Sequence, residues 1–263
     1  MKSNPPAQTS DFFPQGSVAY REAFEILRAG MVSDVPLENV YQRLVAGLPH
    51  RRVAVDWGAG TGAYTQHLVG DFERVYAVEP FAEMRDTLAE RVPRAIAVDA
   101  TMQEAEIPEP VDFGLVSHVL YHVDDTEWGT AILQAARALG PGGVLCVALK
   151  HPEADCNRMI ENFGGRRFDL FRLVEDFRHQ EEFSIEFLTL PSRLETTSLR
   201  DTLAVARFML SDRPRSSYRE LPDDAALEAW VKKRFWDDSR GRGGWNLPEV
   251  LALVRPNWLL EPV

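Results

Sequence analysis

A glycine-rich turn is the segment of this sequence best suited to binding a ligand. Residues 56–62 read Asp-Trp-Gly-Ala-Gly-Thr-Gly, after a short apolar run and before a predicted helix. Glycines let the backbone turn tightly and approach a ligand without a clashing Cβ atom, and a helix N-terminus adds oriented N–H groups. The position of the turn therefore predicts a ligand site.

An acidic residue beyond the turn narrows the choice of ligand. Gly58, Gly60 and Ala63 satisfy the pattern Gly-x-Gly-x-x-Ala, and Glu79 stands about 20 residues further on, where a carboxylate can hold a ribose hydroxyl. A nicotinamide dinucleotide and S-adenosylmethionine both carry an adenosine ribose. This spacing leaves both ligands open.

The elements that must position these residues alternate between strands and helices. Five short apolar runs are predicted strands, at residues 53–56, 75–79, 95–99, 113–117 and 144–149. Such runs are typical of strands buried on both faces of a parallel sheet. The best marked helix spans residues 125–139 and ends at a Gly-Pro-Gly-Gly turn. The alternation predicts a doubly wound α/β sheet with helices on both faces.

The flanking parts of the chain have a different character. Residues 1–50 are predicted to form a loose arm and amphipathic cover helices, and residues 51–263 one elaborated domain. Within that domain a helical insert at about 195–245 precedes a last strand at 250–254. A half-exposed strand is also predicted at 183–190, because apolar residues alternate there.

Five segments in order resemble the class I S-adenosylmethionine-dependent methyltransferases. They are residues 53–62, Val78-Glu79-Pro80, Val98-Asp99-Ala100, Asp112 to His118, and Leu139-Gly140-Pro141-Gly142-Gly143. The resemblance spans roughly residues 52–256. It implies a Rossmann-like, seven-stranded sheet whose last strand runs antiparallel between two others, with 183–190 and 250–254 as the final pair of strands.

The resemblance assigns the methionine and ribose contacts to the first two segments. It places Asp56 and the backbone of Gly58 and Gly60 beside the methionine moiety, whose ammonium group an acidic residue attracts. It places the Glu79 carboxylate against both ribose hydroxyls, as charge-assisted acceptor. Trp57 departs from the small residue or cysteine usual at its position in the family.

The adenine contacts fall on the next segments. The resemblance implies that Asp99 accepts from the adenine amino group, with the Ala100 N–H nearby and Pro80 or Phe81 against the ring. Ser117, at the end of the fourth strand, completes the predicted cofactor site. Capping of strand ends is the alternative role of Asp56 and Asp99.

Two residues are candidates for chemistry near the transferred methyl group. Ligands of open α/β sheets bind beyond the carboxyl ends of strands, where His118 lies, and Tyr121 follows in the next turn. An amine or hydroxyl acceptor loses a proton on methylation, and either side chain is suited to accept it. The alternative for His118 is a purely structural role.

The composition limits the partners. A net charge of -11 disfavours nucleic acid and anionic membranes, and no apolar run is long enough to cross a bilayer. Two cysteines make a zinc site improbable, so no metal is predicted, and a cytoplasmic setting is the simplest expectation.

The predicted function is methyl transfer to the N, O or C atom of a small molecule. An aromatic or amine-bearing acceptor is favoured, because the region around the insert is rich in rings: Phe208, Tyr218, Trp230, Phe235, Trp236 and Trp245. The Glu79-Pro80 pair, residues 120–123 and the C-terminal layout are loosely similar to histamine N-methyltransferase and its relatives. The alternatives are a nicotinamide-dependent oxidoreductase and a non-catalytic, cofactor-binding partner subunit.

Overall fold

The structure is a computed structural model that describes residues 13, 17–33, 36–124, 126–211, 218–219 and 221–257. Residues 1–12 and 14–16 of the predicted N-terminal arm lie outside the described residues. The helices are α1 (Val18–Gly30), α2 (Leu37–Ala46), α3 (Thr65–Asp71), α4 (Ala82–Arg91), α5 (Trp128–Arg137), α6 (Asp155–Asn162), α7 (Leu173–Phe177), α8 (Leu199–Ser211) and α9 (Asp224–Phe235). The strands are β1 (Met31–Ser33), β2 (Val53–Trp57), β3 (Arg74–Val78), β4 (Ile96–Val98), β5 (Val111–Ser117), β6 (Leu139–Lys150), β7 (Phe183–Leu190), β8 (Ser192–Thr196), β9 (Trp236–Asp237), β10 (Arg242–Asn246) and β11 (Glu249–Pro256).

The main sheet has seven strands in the order β4-β3-β2-β5-β6-β11-β7. Strands β2 to β6 pair in parallel. Contacts at the strand ends show that β11 runs the opposite way. Lys150, which ends β6, pairs with Glu249, which begins β11, and Asn257 after β11 donates to the carbonyl of Glu182 before β7. The predicted methyltransferase sheet is therefore confirmed, including its antiparallel strand between two others.

Burial along the strands follows their place in the sheet. Strand β2 is buried at every residue, as is nearly all of β5 and β11. Strand β4 departs from the prediction that all five runs are buried on both faces, since Ile96 and Ala97 are exposed. It forms the edge of the sheet beside β3, so one side has no neighbouring strand.

The Gly-Pro-Gly-Gly segment after α5 lies within a strand. The prediction of a turn at residues 140–143 was wrong, because β6 begins at Leu139 and contains all four of these residues. Leu139 pairs with Val111 of β5, and the register shifts before the next pair at Phe113. This irregularity accommodates Gly142, whose φ is +75°. The extra pairing extends β6 to 12 residues.

The chain divides into two compact units that are each assembled from separate segments. The sheet unit comprises Pro36–Leu149, Leu170–Thr189 and the described residues from Val250. The insert unit comprises the described residues before Pro36, Lys150–Asp169 and Leu190–Glu249.

The insert unit contains a second sheet that was not predicted. It has four strands in the order β1-β8-β10-β9, and its pairs are antiparallel. The predicted helices of this region are present as α8 and α9. Ser198 accepts a hydrogen bond from the Asp201 N–H at the start of α8, and Asp223 accepts from Ala226 at the start of α9. Among the described residues no helix combines the length and apolar character that crossing a membrane requires.

Candidate active site

The glycine-rich turn is tied to the end of strand β3 by backbone hydrogen bonds. The carbonyl of Val78 accepts from the N–H groups of Gly58 and Ala59, at 2.8 and 2.9 Å. Beyond it, the Glu79 carboxylate accepts from the Gly60 N–H at 2.9 Å. The turn after β2 and the acidic residue after β3 therefore form one hydrogen-bonded unit.

Two glycines of the turn have different physical roles. Both have positive φ, +76° at Gly58 and +54° at Gly60, a conformation that residues with a Cβ atom rarely adopt. A Cβ atom at Gly58 would also lie 2.5 Å from a methyl group of Val119. A Cβ atom at Gly60 would meet nothing within 4 Å. Gly58 is thus required by packing, whereas Gly60 faces open space beside Glu79.

The tryptophan that departs from the family pattern is buried beside a glycine of the neighbouring strand β5. Trp57 is 1% exposed, and its indole nitrogen lies 3.5 Å from where a Cβ atom of Gly114 would be. That Cβ atom would also lie 2.7 Å from the Leu145 side chain. The Leu145 side chain is therefore what requires a glycine at position 114, while the Trp57 ring lies at ordinary contact distance.

Two carboxyl groups are buried at the ends of β2 and β3. Asp56 is 2% exposed and accepts a 2.6 Å hydrogen bond from the Thr65 hydroxyl. Burial raises the pKa of Asp56 to about 6, the Thr65 bond opposes the rise, and the nearby Glu79 adds to it. Burial also raises the pKa of Glu79, against the backbone N–H groups of Phe81 and Gly60. The pair favours a cationic ligand, because a positive charge would relieve the cost of both burials.

The third predicted carboxylate is exposed and paired with an arginine that the sequence analysis missed. The Asp99 side chain is 72% exposed, and Arg85 lies 2.8 Å from its Oδ1 atom. Arg85 also donates to the Glu79 carbonyl at 2.8 Å. The Ala100 N–H donates to the Val98 carbonyl at 3.1 Å, so it is engaged within its own strand end.

An apolar surface lies directly after Glu79. Phe81 is 37% exposed, and its N–H donates to Glu79 Oε1 at 3.0 Å, while Pro80 is half-buried. At the end of β5, the Ser117 hydroxyl accepts a 3.3 Å hydrogen bond from the Tyr41 hydroxyl. Tyr41 belongs to α2, and nothing in its sequence context signalled this contact.

His118 has an unusual backbone for a residue with a side chain. Its φ is +59°, the one positive value among the described non-glycine residues, and its N–H donates to Ala148 at 2.9 Å. Its Nδ1 atom lies 3.1 Å from the Tyr121 hydroxyl, and the two rings stack with centroids 5.8 Å apart. The two predicted catalytic side chains are thus brought together in the turn after β5.

Most of the rings predicted to surround the acceptor are packed against other parts of the insert unit. Phe235 stacks on Trp245 with centroids 3.8 Å apart, and Trp230 meets Phe235 edge-on at 5.1 Å. Phe208 contacts Tyr20 of α1. A depression of about 390 Å³ in this unit has a mostly charged lining: Asp155, Arg158, Trp230, Lys233, Arg234, Phe235 and Gly244. Within the described residues, no cluster of three or more His, Cys, Asp or Glu side chains is placed to hold a metal ion.

Comparison with known families identifies the central part of the chain. Residues 55–147 match the family described as a methyltransferase domain. Over 112 residues the chain is 31% identical to an uncharacterized methyltransferase of Geobacillus kaustophilus strain HTA426, covering 41% of this chain and 52% of that relative. Over 145 residues it is 28% identical to one from Geobacillus thermodenitrificans, covering 54% and 63%. The matched segment therefore spans less than two thirds of either relative.

Solved structures extend the likeness to most of the chain at the level of the fold. The YcgJ protein from Bacillus subtilis has a TM-score of 0.56 at 14% identity, covering 82% of this chain and 97% of its own. The N-methyltransferase NodS from Bradyrhizobium japonicum WM9, solved with S-adenosyl-L-homocysteine, has a TM-score of 0.50 at 14% identity, covering 92% and 100%.

The strand order and the similar solved structures define the fold. The fold is that of the class I methyltransferases. Within that fold, residues 55–147 are the part of the chain that matches a methyltransferase domain.

Proposed function

We propose that this protein transfers the methyl group of S-adenosylmethionine to the N, O or C atom of a small molecule. The observation that carries the proposal is the Glu79 carboxylate, held by the N–H groups of Gly60 and Phe81 beside the open space at Gly60. A carboxylate held this way is preorganised for a second pair of donors, and the two hydroxyls of a ribose are such a pair.

The hydrogen-bonding capacity of Glu79 supports this assignment. Each carboxylate oxygen has two lone pairs, and the structure uses one on each oxygen for a backbone N–H group. One further bond per oxygen is available to a ribose hydroxyl. Phe81 offers its exposed ring to the adjoining adenine, and Asp99 keeps its Oδ2 atom for the amino group, since Oδ1 faces Arg85.

Asp56 would hold the positive charge of the methionine part of the cofactor. It is buried next to Glu79, and its pKa of about 6 leaves it mostly ionised at neutral pH. The bound cofactor supplies a methyl group activated by its sulfonium, so the protein has mainly to align the reactants and exclude water.

His118 and Tyr121 are the residues we assign to the acceptor side. They lie at the carboxyl end of β5, and the 3.1 Å contact between them orients the imidazole. An amine or hydroxyl acceptor would lose its proton to this pair, with His118 as the base and Tyr121 as its orienting partner. For His118, a purely structural role is the competing interpretation.

The acidic chain supports a small neutral or cationic acceptor. The net charge of -11 opposes a polyanionic substrate such as nucleic acid, since charge repulsion weakens encounter. An aromatic or amine-bearing acceptor remains our preferred class. The sheet does not favour the nicotinamide alternative, because the antiparallel β11 between β6 and β7 departs from the all-parallel order of the dinucleotide fold.

The test is methyl transfer from labelled S-adenosylmethionine to a panel of amines, phenols, indoles and carboxylates, read by mass spectrometry. We expect a labelled product with at least one small acceptor. Thermal shift assays with S-adenosylhomocysteine and with nicotinamide dinucleotide run beside it, and only the former should stabilise the protein. Stabilisation by the dinucleotide alone would reject the proposal, and cofactor binding without transfer to any acceptor would favour a non-catalytic partner subunit.

A further inference from the structure

Arg85 connects the two strand ends that carry the adenosine-binding carboxylates. From helix α4, its Nη1 atom donates to the backbone carbonyl of Glu79 and pairs with Asp99 Oδ1, both at 2.8 Å. The Arg85 side chain is 18% exposed, whereas the Asp99 side chain is 72% exposed. A mostly buried, anchored cation thus holds a carboxylate that water would otherwise surround.

The contribution of this pair to folding stability is expected to be small. Ion pairs with an exposed partner contribute little, since solvent screens the charges and both side chains lose freedom. The geometric consequence is larger. Strand β4 is three residues long and forms the sheet edge, so Asp99 has no further strand to fix its direction. The Arg85 guanidinium group fixes the direction of the Asp99 carboxylate instead.

We propose that Arg85 is a positioning residue that sets the preference of the cofactor site for adenine by orienting Asp99. The inference rests on the proposed function and extends it to a residue outside the predicted site. With Oδ1 held by Arg85, the Asp99 Oδ2 atom is left to accept from the exocyclic amino group. Hypoxanthine carries a carbonyl oxygen there, which would face the carboxylate without a proton between them. A site built to accept from an amino group disfavours such an analogue.

The experiment compares two ligands on the full chain by calorimetry. They are S-adenosylhomocysteine and S-inosylhomocysteine, its deaminated analogue. We expect the wild type to bind the adenine compound at least about tenfold more tightly, the ratio that corresponds to roughly 1.4 kcal/mol. Arg85→Ala should weaken S-adenosylhomocysteine binding by about tenfold and bring the two affinities to within about threefold. Arg85→Lys keeps the charge without the fork and should restore part of the preference.

A matched control separates orientation from loss of charge. Arg94 is an exposed arginine of the same unit that makes no contact with Glu79 or Asp99. Arg94→Ala should leave the ligand ratio at its wild-type value. In an Asp99→Ala background, Arg85→Ala should produce no further change in the ratio, because the group through which it acts is absent. Circular dichroism and thermal unfolding establish that each variant is folded.

The outcomes distinguish this inference from the proposed function. If the wild type binds neither compound, the proposed function fails. If it binds S-adenosylhomocysteine but shows no preference over the inosine analogue, or if folded Arg85→Ala and Arg85→Lys both keep the full preference, the role of Arg85 is overturned alone. A changed ratio in Arg94→Ala, or a further change by Arg85→Ala in the Asp99→Ala background, would also overturn it.

Discussion

The acidic strand ends of the sheet unit and the aromatic cluster of the insert unit satisfy their polar groups very differently. Asp56 and Glu79 are buried, yet each accepts hydrogen bonds from groups near the glycine-rich turn. In the insert unit, Trp230 and Trp245 stack or pack on other rings, and their buried indole nitrogens have no hydrogen-bond partner among the described residues.

The difference teaches which buried groups are organised for a ligand. The Thr65 hydroxyl fixes the direction of the Asp56 carboxylate, and two backbone N–H groups fix that of Glu79, which is the organisation a binding site requires. The rings of the insert unit contribute buried apolar surface and close packing. Each buried indole N–H group without a partner lowers the folding stability by roughly 1–3 kcal/mol. The first region is therefore interpreted as a binding site, and the second mainly as a core.

The aromatic cluster should show the largest effect on stability. Trp245 is 1% exposed and stacked on Phe235. Trp245→Ala should lower the free energy of unfolding by about 3–5 kcal/mol, because a large cavity is left. Trp236→Ala is the control, since that half-exposed ring should cost only about 1 kcal/mol. Denaturant unfolding measures both. If Trp245→Ala instead kept the wild-type stability and lost turnover, Trp245 would be assigned to the acceptor site and not to the core.

The ribose carboxylate should show the largest effect on binding. Glu79→Ala removes two charge-assisted bonds of roughly 1.5–3 kcal/mol each, so affinity for S-adenosylhomocysteine should fall about a thousandfold. Glu83→Ala removes an exposed carboxylate from the adjoining helix and should leave affinity unchanged. Calorimetry on both variants provides the test, and equal affinities would remove Glu79 from the cofactor site.

The residues after β5 should affect turnover more than binding. His118→Ala should lower turnover by about a hundredfold and change cofactor affinity little. A hundredfold is the lower end of the rate contribution of a general base, and we expect it because Tyr121 remains in the variant. The exposed His67 of α3 supplies the control, and His67→Ala should retain wild-type turnover. The measurement is the turnover rate of both variants with the acceptor that the panel of small molecules identifies. Full turnover in His118→Ala would leave it a structural residue.

The smallest predicted effect is on pH dependence. The pKa of Asp56 is raised to about 6 in the folded protein. Below that pH the carboxyl group is mostly protonated and no longer attracts the ammonium group of the cofactor. Affinity for S-adenosylhomocysteine should drop below pH about 6, by up to about tenfold per pH unit, since the bound cation lowers this pKa again. Asp56→Asn should flatten the profile measured by calorimetry. An equally steep profile in the variant would assign the titration to another group, such as Glu79.

The same raised pKa has the opposite consequence for folding stability. A carboxyl group whose pKa rises on folding favours the folded state when protonated, and that contribution is lost as pH rises through about 6. The contribution of Asp56 to binding and its contribution to folding therefore change in opposite directions over the same pH range.

The fold was predictable where signals are local in sequence. The buried strands β2, β3, β5 and β11 and the half-exposed strand β7 follow from apolar patterning, and the strand order followed from the resemblance. The exposure of β4 and the start of β6 at Leu139 were not predictable, because both depend on which strand lies alongside. Strands β8 and β10 of the insert unit alternate in burial, but polar residues and a glycine occupy buried positions there, so no apolar alternation marks them in the sequence: Ser192, Thr196 and Gly243.

The residues of the candidate site were likewise predictable only where they lie in contiguous motifs. Asp56, Gly60 and Glu79 were found because the turn and the strand end are contiguous motifs. Thr65 and Arg85 were missed, since each meets its carboxylate only after a helix has folded beside the strand. The packing of Phe235 on Trp245 likewise depends on elements distant in the chain.

The place of β11 has a consequence for how the chain folds during synthesis. This strand lies between β6 and β7 in the sheet but follows both in sequence, after α8 and α9. Until it emerges from the ribosome, β6 and β7 each expose a strand edge that can pair with another chain. The nascent protein therefore passes through a stage in which its central sheet is open, and aggregation competes with completion at that stage.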